Sequence, residues 1–106
     1  MFDDLTPAQF DTLSNDDDQW QLLDVREEWE IAIASISTAI LIPMMEIPSR
    51  LAELDKKRPV AVICHSGGRS GRVADFLSQQ GFARVANIVG GIDAWTMEVD
   101  SAVPRY

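Results

Sequence analysis

A chain of 106 residues with 46% hydrophobic and 25% charged side chains has the composition of a single globular domain, which excludes disordered, collagen-like and fibrous classes. A domain of this length buries about two-thirds of the surface its unfolded chain exposes, enough for a core without disulfides or a structural metal. Seventeen acids against nine Lys and Arg give a net charge of −8, a field that repels phosphate backbones and anionic headgroups, so neither nucleic acid nor membrane is an expected partner.

Thr6 and Pro7 read as the N-cap and first position of a short helix, with Phe10 and Leu13 three apart on its inward face. Asn15, Asp16, Asp17 and Asp18 form an acidic turn; the Gly and downstream Glu of a calcium loop are missing, so no metal site is expected there. Residues 20–25 (Trp-Gln-Leu-Leu-Asp-Val) suit a buried strand, residues 27–31 one helical turn, and residues 38–42 a second short strand stopped by Pro43. Pro48 opens a helix to about Leu54 with Leu51 and Leu54 inward, and Lys56, Lys57 and Arg58 lie past its end, where positive charge suits the helix dipole. Residues 60–63 (Val-Ala-Val-Ile) are a continuous apolar run of the kind found in a central parallel strand covered on both faces. A helix is predicted from about Ser70 to Gln80, with Val73, Phe76 and Leu77 on one face and Gly81 just past its end. A strand over residues 84–89, a Gly90-Gly91 turn and a last helix over residues 92–97 complete the series. Alternation of strands and helices predicts one α/β domain over residues 1–106, a central, mostly parallel sheet with helices on both faces.

The single cysteine rules out an internal disulfide and the multi-cysteine zinc patterns, and it suits a reducing compartment. The N-terminal residues lack the basic start and apolar stretch of a secretory signal, and no 18-residue apolar run occurs, so a cytoplasmic protein is expected.

Cys64 follows the predicted central strand and precedes a helix. Ligands of parallel sheets bind at the carboxyl ends of strands, and a helix N-terminus there supplies unpaired N–H groups and partial positive charge. That setting lowers a thiol pKa and populates the nucleophilic thiolate. Gly67 and Gly68 permit a left-handed turn in which successive N–H groups face inward as an anion nest, built from His65, Ser66, Gly67, Gly68, Arg69 and Ser70. The guanidinium groups of Arg69 and Arg72 add planar donors suited to oxyanions. Residues 56–74 hold Lys56, Lys57, Arg58, Arg69 and Arg72 and no acid, a local +5 in a remainder of −13. Lys56, Lys57 and Arg58 are accounted for by a helix end alone. A buried core thiol is the common fate of a lone cysteine, but a core thiol requires neither the double glycine nor the arginine that follow. A nucleotide-binding P-loop would need Gly-Lys-Ser or Gly-Lys-Thr, which is absent. His65 is assigned to the border of the loop. Trp20, Trp29 and Trp95 are assigned to core or rim packing rather than substrate stacking, and Met44 and Met45 to core packing rather than to the lining of the pocket.

Three segments together resemble the rhodanese family in its small form: Leu22-Leu23-Asp24-Val25-Arg26 followed by Glu28 and Trp29; Cys64-His65-Ser66-Gly67-Gly68-Arg69-Ser70; and Val89-Gly90-Gly91-Ile92-Asp93-Ala94-Trp95. The stretch Ala39 to Pro43 resembles the family's Ala-hydrophobic-x-Ile-Pro element. The resemblance implies a rhodanese-like fold and a thiosulfate sulfurtransferase. Cys64 takes the outer sulfur of a small anionic donor as a persulfide and passes it to cyanide or a thiol acceptor, thioredoxin or another thiol protein among them. It implies no cofactor, and a monomer is expected. Asp24 and Arg26 are expected to support the site by holding the end of the first predicted strand against it. The chain departs from the family pattern at Ala34-Ser35-Ile36-Ser37-Thr38-Ala39, where many relatives read Gly-His-Ile-Pro-Gly-Ala, which bears on local turn geometry.

Two other readings use the same thiol. A cysteine phosphatase or arsenate reductase also holds a thiolate in an anion cradle, but with five residues between Cys and Arg, whereas four separate Cys64 from Arg69. A relay module would carry the persulfide to a protein partner with little thiosulfate activity of its own.

Overall fold

The computed structural model describes residues 2–106. In chain order the elements are β1 (Asp3–Leu5), α1 (Pro7–Asp16), β2 (Gln21–Asp24), α2 (Glu28–Ile33), β3 (Ile40–Leu41), 3-10 turns at Met44–Glu46 and Pro48–Glu53, β4 (Val60–Ile63), α3 (Gly68–Gln79), β5 (Val85–Ile88) and α4 (Gly91–Glu98). The strands form one sheet in the order β1-β5-β4-β2-β3, and every described pair is parallel.

Strand β4 is central, and its alternation explains the layers. Val60 and Val62, with Cys64 just beyond, pack with Leu23, Val25, Val73, Ala74 and Leu77 on the face covered by α3. Ala61 and Ile63 pack with Phe10, Leu22, Ile88, Ile92 and Trp95 on the face covered by α1 and α4. All four β4 residues are fully buried, and each of the Val and Ile side chains contributes about 1.5–3 kcal/mol of burial. Period-two alternation therefore sends the residue after Ile63 to the α3 side, so the Cys64 sulfur lies beneath the start of that helix.

The predicted helix at residues 48–54 is a 3-10 turn ending at Glu53. Arg50, at φ −116° and ψ 16°, breaks the helical path, so Leu54 is buried and Leu51 only half-buried. The strand expected over residues 38–42 is confined to Ile40–Leu41. Helix α3 begins at Gly68, two residues ahead of the predicted start, because Gly67 makes the turn out of the strand. Strand β1 was not predicted: Asp3 and Asp4 are exposed, and only backbone pairing with Ala86, Asn87 and Ile88 makes the segment a strand. Thr6 and Pro7 behave as expected, with Thr6 Oγ1 accepting from the Gln9 N–H at 3.1 Å in a capping box. Among the described residues no helix is long and apolar enough to cross a membrane.

Candidate functional site

The site sits at the carboxyl end of β4, where the chain passes through Cys64 into α3. Gly67 adopts φ +111°, a left-handed conformation that L side chains avoid, and a Cβ there would come within 3.3 Å of the Gly90 nitrogen. The turn aims the Gly67 N–H back at Cys64 Sγ, which accepts from it at 3.1 Å. The Ser70 hydroxyl, one turn into α3, lies 3.3 Å from the same sulfur. Cys64 is 1% exposed, His65 and Gly67 are half-buried, and Ser66 and Gly68 are exposed, so the cysteine is buried beneath a partly exposed loop.

Burial pushes the Cys64 thiol pKa up; the Ser70 hydroxyl and the N–H groups of Ser70, Gly67 and Ser66 pull it down by more, leaving it below the ordinary value for cysteine. Polar donors thus reach the Cys64 sulfur, although it packs within the core. Anion-stabilising donors are already in place before any substrate arrives.

A second helix start secures the loop from below. The Ile92 N–H donates to the Cys64 carbonyl at 2.8 Å and the Asp93 N–H to the His65 carbonyl at 3.2 Å, so the first turn of α4 grips the backbone of both residues. Gly91 makes the approach feasible, since a Cβ at that position would lie 2.5 Å from the Cys64 carbonyl oxygen and closer still to that of His65.

Arg69 is engaged by α2 rather than by the sulfur. Its guanidinium grips the Glu30 carboxylate of α2 in a two-pronged pair, with Nη2 to Oε2 at 2.8 Å. Glu30 is held down to a pKa of about 2, chiefly by the Arg69 hydrogen bond against the opposing effect of burial, with help from the Tyr106 hydroxyl and the Glu27 backbone. Arg72, one turn further along α3, is exposed and rims a small apolar pocket of about 120 Å³ walled by Met44, Ile47, Pro48, Val73 and Phe76.

Asp24 and Arg26 form a buried pair. Arg26 Nη2 donates to Asp24 Oδ2 at 2.8 Å and to the Ala34 carbonyl at 2.7 Å, and Nη1 donates to Tyr106 Oη at 2.9 Å. Strand β2, the end of α2 and the C-terminal residues are thereby tied together behind the loop. The Ala34 contact also shows how the departure at residues 34–39 is accommodated. Arg26 anchors its first carbonyl, Ala34 is buried, and the Ala39 N–H closes a turn on the Ile36 carbonyl at 3.1 Å.

Of the predicted site residues, Cys64, Ser66, Gly67 and Ser70 converge on the sulfur. His65 borders the loop, its ring stacked on Tyr106 at 4.2 Å. The Arg69 guanidinium is paired with Glu30, and Arg72 is exposed at the rim of the apolar pocket. Lys56 lies over the Phe82 ring at 5.9 Å, and Arg58 Nε donates to the Gln19 carbonyl. Trp20 and Trp95 pack on Phe10, while Trp29 is 63% exposed and edge-on to Tyr106. Sequence reasoning missed Glu30 and Tyr106; Glu30 stood beside the quoted Glu28 and Trp29 as one more acid, and nothing local marks Tyr106.

A model of the rhodanese-like domain matches residues 6–98. A protein from Allochromatium vinosum named a sulfurtransferase is 46% identical over 70% of this chain and 69% of its own length. The chloroplastic "Rhodanese-like/PpiC domain-containing protein 12" of Arabidopsis thaliana is 41% identical over 84% of this chain, which spans only 31% of that protein's length. The crystal structure of a rhodanese-like domain protein from Staphylococcus aureus superposes with a TM-score of 0.84, at 28% identity and over 99% of each chain.

Proposed function

The chain belongs to the rhodanese-like domain family, and on that premise we propose that it is a sulfurtransferase moving sulfane sulfur through a Cys64 persulfide. The Cys64 thiolate attacks the outer sulfur of thiosulfate and a new S–S bond forms. The original S–S bond breaks, and sulfite leaves with its electron pair. Cyanide, or the thiolate of a small thiol, thioredoxin or another thiol protein, then attacks the terminal sulfur. The S–S bond to Cys64 breaks and returns the thiolate. Two displacements through one covalent intermediate give ping-pong kinetics.

The observation that carries this reading is the Gly67 N–H donating to Cys64 Sγ at 3.1 Å, with the Ser70 hydroxyl within reach of the same sulfur at 3.3 Å. A backbone donor fixed on the resting sulfur holds the attacking thiolate without a general base, and it remains beside the sulfur once it carries a second, anionic one. The relative from Allochromatium vinosum, named a sulfurtransferase, supports the same class. A phosphatase reading is disfavoured because the Arg69 guanidinium, which would have to clamp the phosphoryl oxygens, is committed to Glu30. A reducing cytoplasm suits a reactive thiol that must return to its free form each cycle.

The deciding experiment is intact-protein mass spectrometry after thiosulfate treatment. Wild type gains the mass of one sulfur atom, which cyanide removes with release of thiocyanate, and Cys64→Ser gains nothing. A wild-type protein that stays unmodified would falsify thiosulfate as donor, and turnover of an aryl phosphate in its place would install the phosphatase reading.

A further inference from the structure

Ser70 has one hydroxyl proton and three acceptors. Its Oγ lies 2.6 Å from Asn87 Oδ1, 3.2 Å from the Gly67 carbonyl and 3.3 Å from Cys64 Sγ. A hydroxyl donates one hydrogen bond at a time, and the amide oxygen of Asn87 is much the nearest partner. Asn87 is a buried polar residue in β5, paired in register with Val62 of β4, so its side chain projects to the α3 face, where Cys64 also lies. Its orientation is set from the sheet edge. Asp4 of β1 stands opposite Asn87 in the register, and its carboxylate Oδ1, which can only accept, takes the Nδ2 group at 3.4 Å. Rotating the amide would put Oδ1 against that carboxylate, so Oδ1 is left facing Ser70.

We infer that Asn87 is a positioning residue that competes with the Cys64 sulfur for the single proton of Ser70, with Asp4 holding Asn87 in the competing orientation. While Asn87 holds the proton, the Ser70 oxygen offers its lone pairs to the sulfur and suits a thiol. When the hydroxyl turns toward the sulfur it suits a thiolate or persulfide, at the expense of the Asn87 bond. The site is thus poised between two hydrogen-bond arrangements without movement of the backbone. The charged groups around the sulfur are otherwise fixed: Arg69 is paired with Glu30, Asp24 with Arg26, and Asp93 with Arg105, while His65 is stacked on Tyr106 and Arg72 is exposed at the apolar pocket.

The inference rests on Cys64 as the sulfur-carrying thiol for its meaning, but its test reads ionisation of the thiol alone and stays informative if sulfur transfer fails. The measurement is the pH profile of iodoacetamide alkylation of Cys64. Asn87→Ala frees the Ser70 proton for the sulfur and moves the midpoint down by about one pH unit, the scale of a single hydrogen bond to a charged group. Asp4→Ala, at an exposed edge position that leaves the core intact, moves it down by a smaller amount and carries the test if Asn87→Ala does not fold. Both shifts vanish in a Ser70→Ala background, where there is no proton to contest. That control separates proton competition from the loss of a negative charge at Asp4, which would lower the midpoint in either background. An unchanged midpoint, or a shift that persists without the Ser70 hydroxyl, overturns the inference.

Discussion

Arg69 follows the Cys64 loop, yet its guanidinium is spent on Glu30, 39 positions earlier in the chain, through two charge-assisted hydrogen bonds. The pair fastens the first turn of α3 to α2, so the loop is braced from outside by a side chain committed to a carboxylate. Such bidentate pairs are directional as well as strong.

The pair makes stability sensitive to acid. Glu30 holds its charge down to about pH 2 in the folded chain, against an ordinary value of 4.5, so the folded state binds fewer protons than the unfolded state between those limits. The stabilisation is complete above about pH 5 and is lost as pH falls toward 2; it amounts to about 2 kcal/mol, below what the full shift allows because Arg69 is 31% exposed. Urea titrations of wild type and Glu30→Gln should differ by that amount at pH 7 and converge near pH 2. A difference that does not narrow in acid would remove the pair from the ledger.

Gly91→Ala should be among the most damaging single-methyl changes. The position has φ +60°, and the added carbon would collide with the carbonyls of Cys64 and His65. Left-handed strain and the collision together cost about 3 kcal/mol. Sulfur loading should fall with stability, because the loop must lift off α4. Thermal melting and persulfide mass spectrometry on one preparation check both, and a variant that melts like wild type with full loading contradicts the clamp.

Tyr106→Phe tests the tie at the other end of the chain. Its hydroxyl donates to Glu30 Oε2 at 2.7 Å and accepts from Arg26 Nη1, which otherwise has only the Glu30 carbonyl at 3.5 Å. Leaving those charged groups short of a partner costs about 2 kcal/mol in chemical denaturation. The ring still stacks on His65, so the rate of sulfur loading should change less than stability does.

Arg72→Ala should raise the KM for thiosulfate about fivefold, the loss of one exposed charge-assisted contact, with the melting temperature unchanged. Arg72 is exposed and makes no ion pair among the described residues, which leaves its charge available to an incoming dianion. Steady-state cyanide assays give the comparison, and unchanged kinetics would withdraw Arg72 from the site.

Strands β2 and β4, the loop and α3 were legible because each is written locally: apolar runs, a double glycine, and Val73 and Leu77 at helical spacing. The β1 strand was not, since Asp3 and Asp4 have no strand signature and only the partner strand defines them. Arg69 illustrates a different limit. Once a helix begins, each residue turns by about 100°, so neighbours in sequence share backbone donors at one point while their side chains fan out. Proximity in sequence therefore located the N–H cradle and not the destination of the guanidinium. Glu30, Tyr106 and Asn87 were invisible for the complementary reason: each reaches the site through a contact between distant segments.

The strand order also fixes when the loop's backbone becomes clamped during synthesis. Strand β1 emerges first but pairs only with β5, 83 positions later at Asp4 and Asn87, and the α4 amides that grip Cys64 follow β5. Such long-range closure is slow relative to local helix formation. A nascent chain halted before α4 therefore lacks the Ile92 and Asp93 N–H bonds to the Cys64 and His65 carbonyls, and the backbone of the loop is clamped only once the last helix has formed.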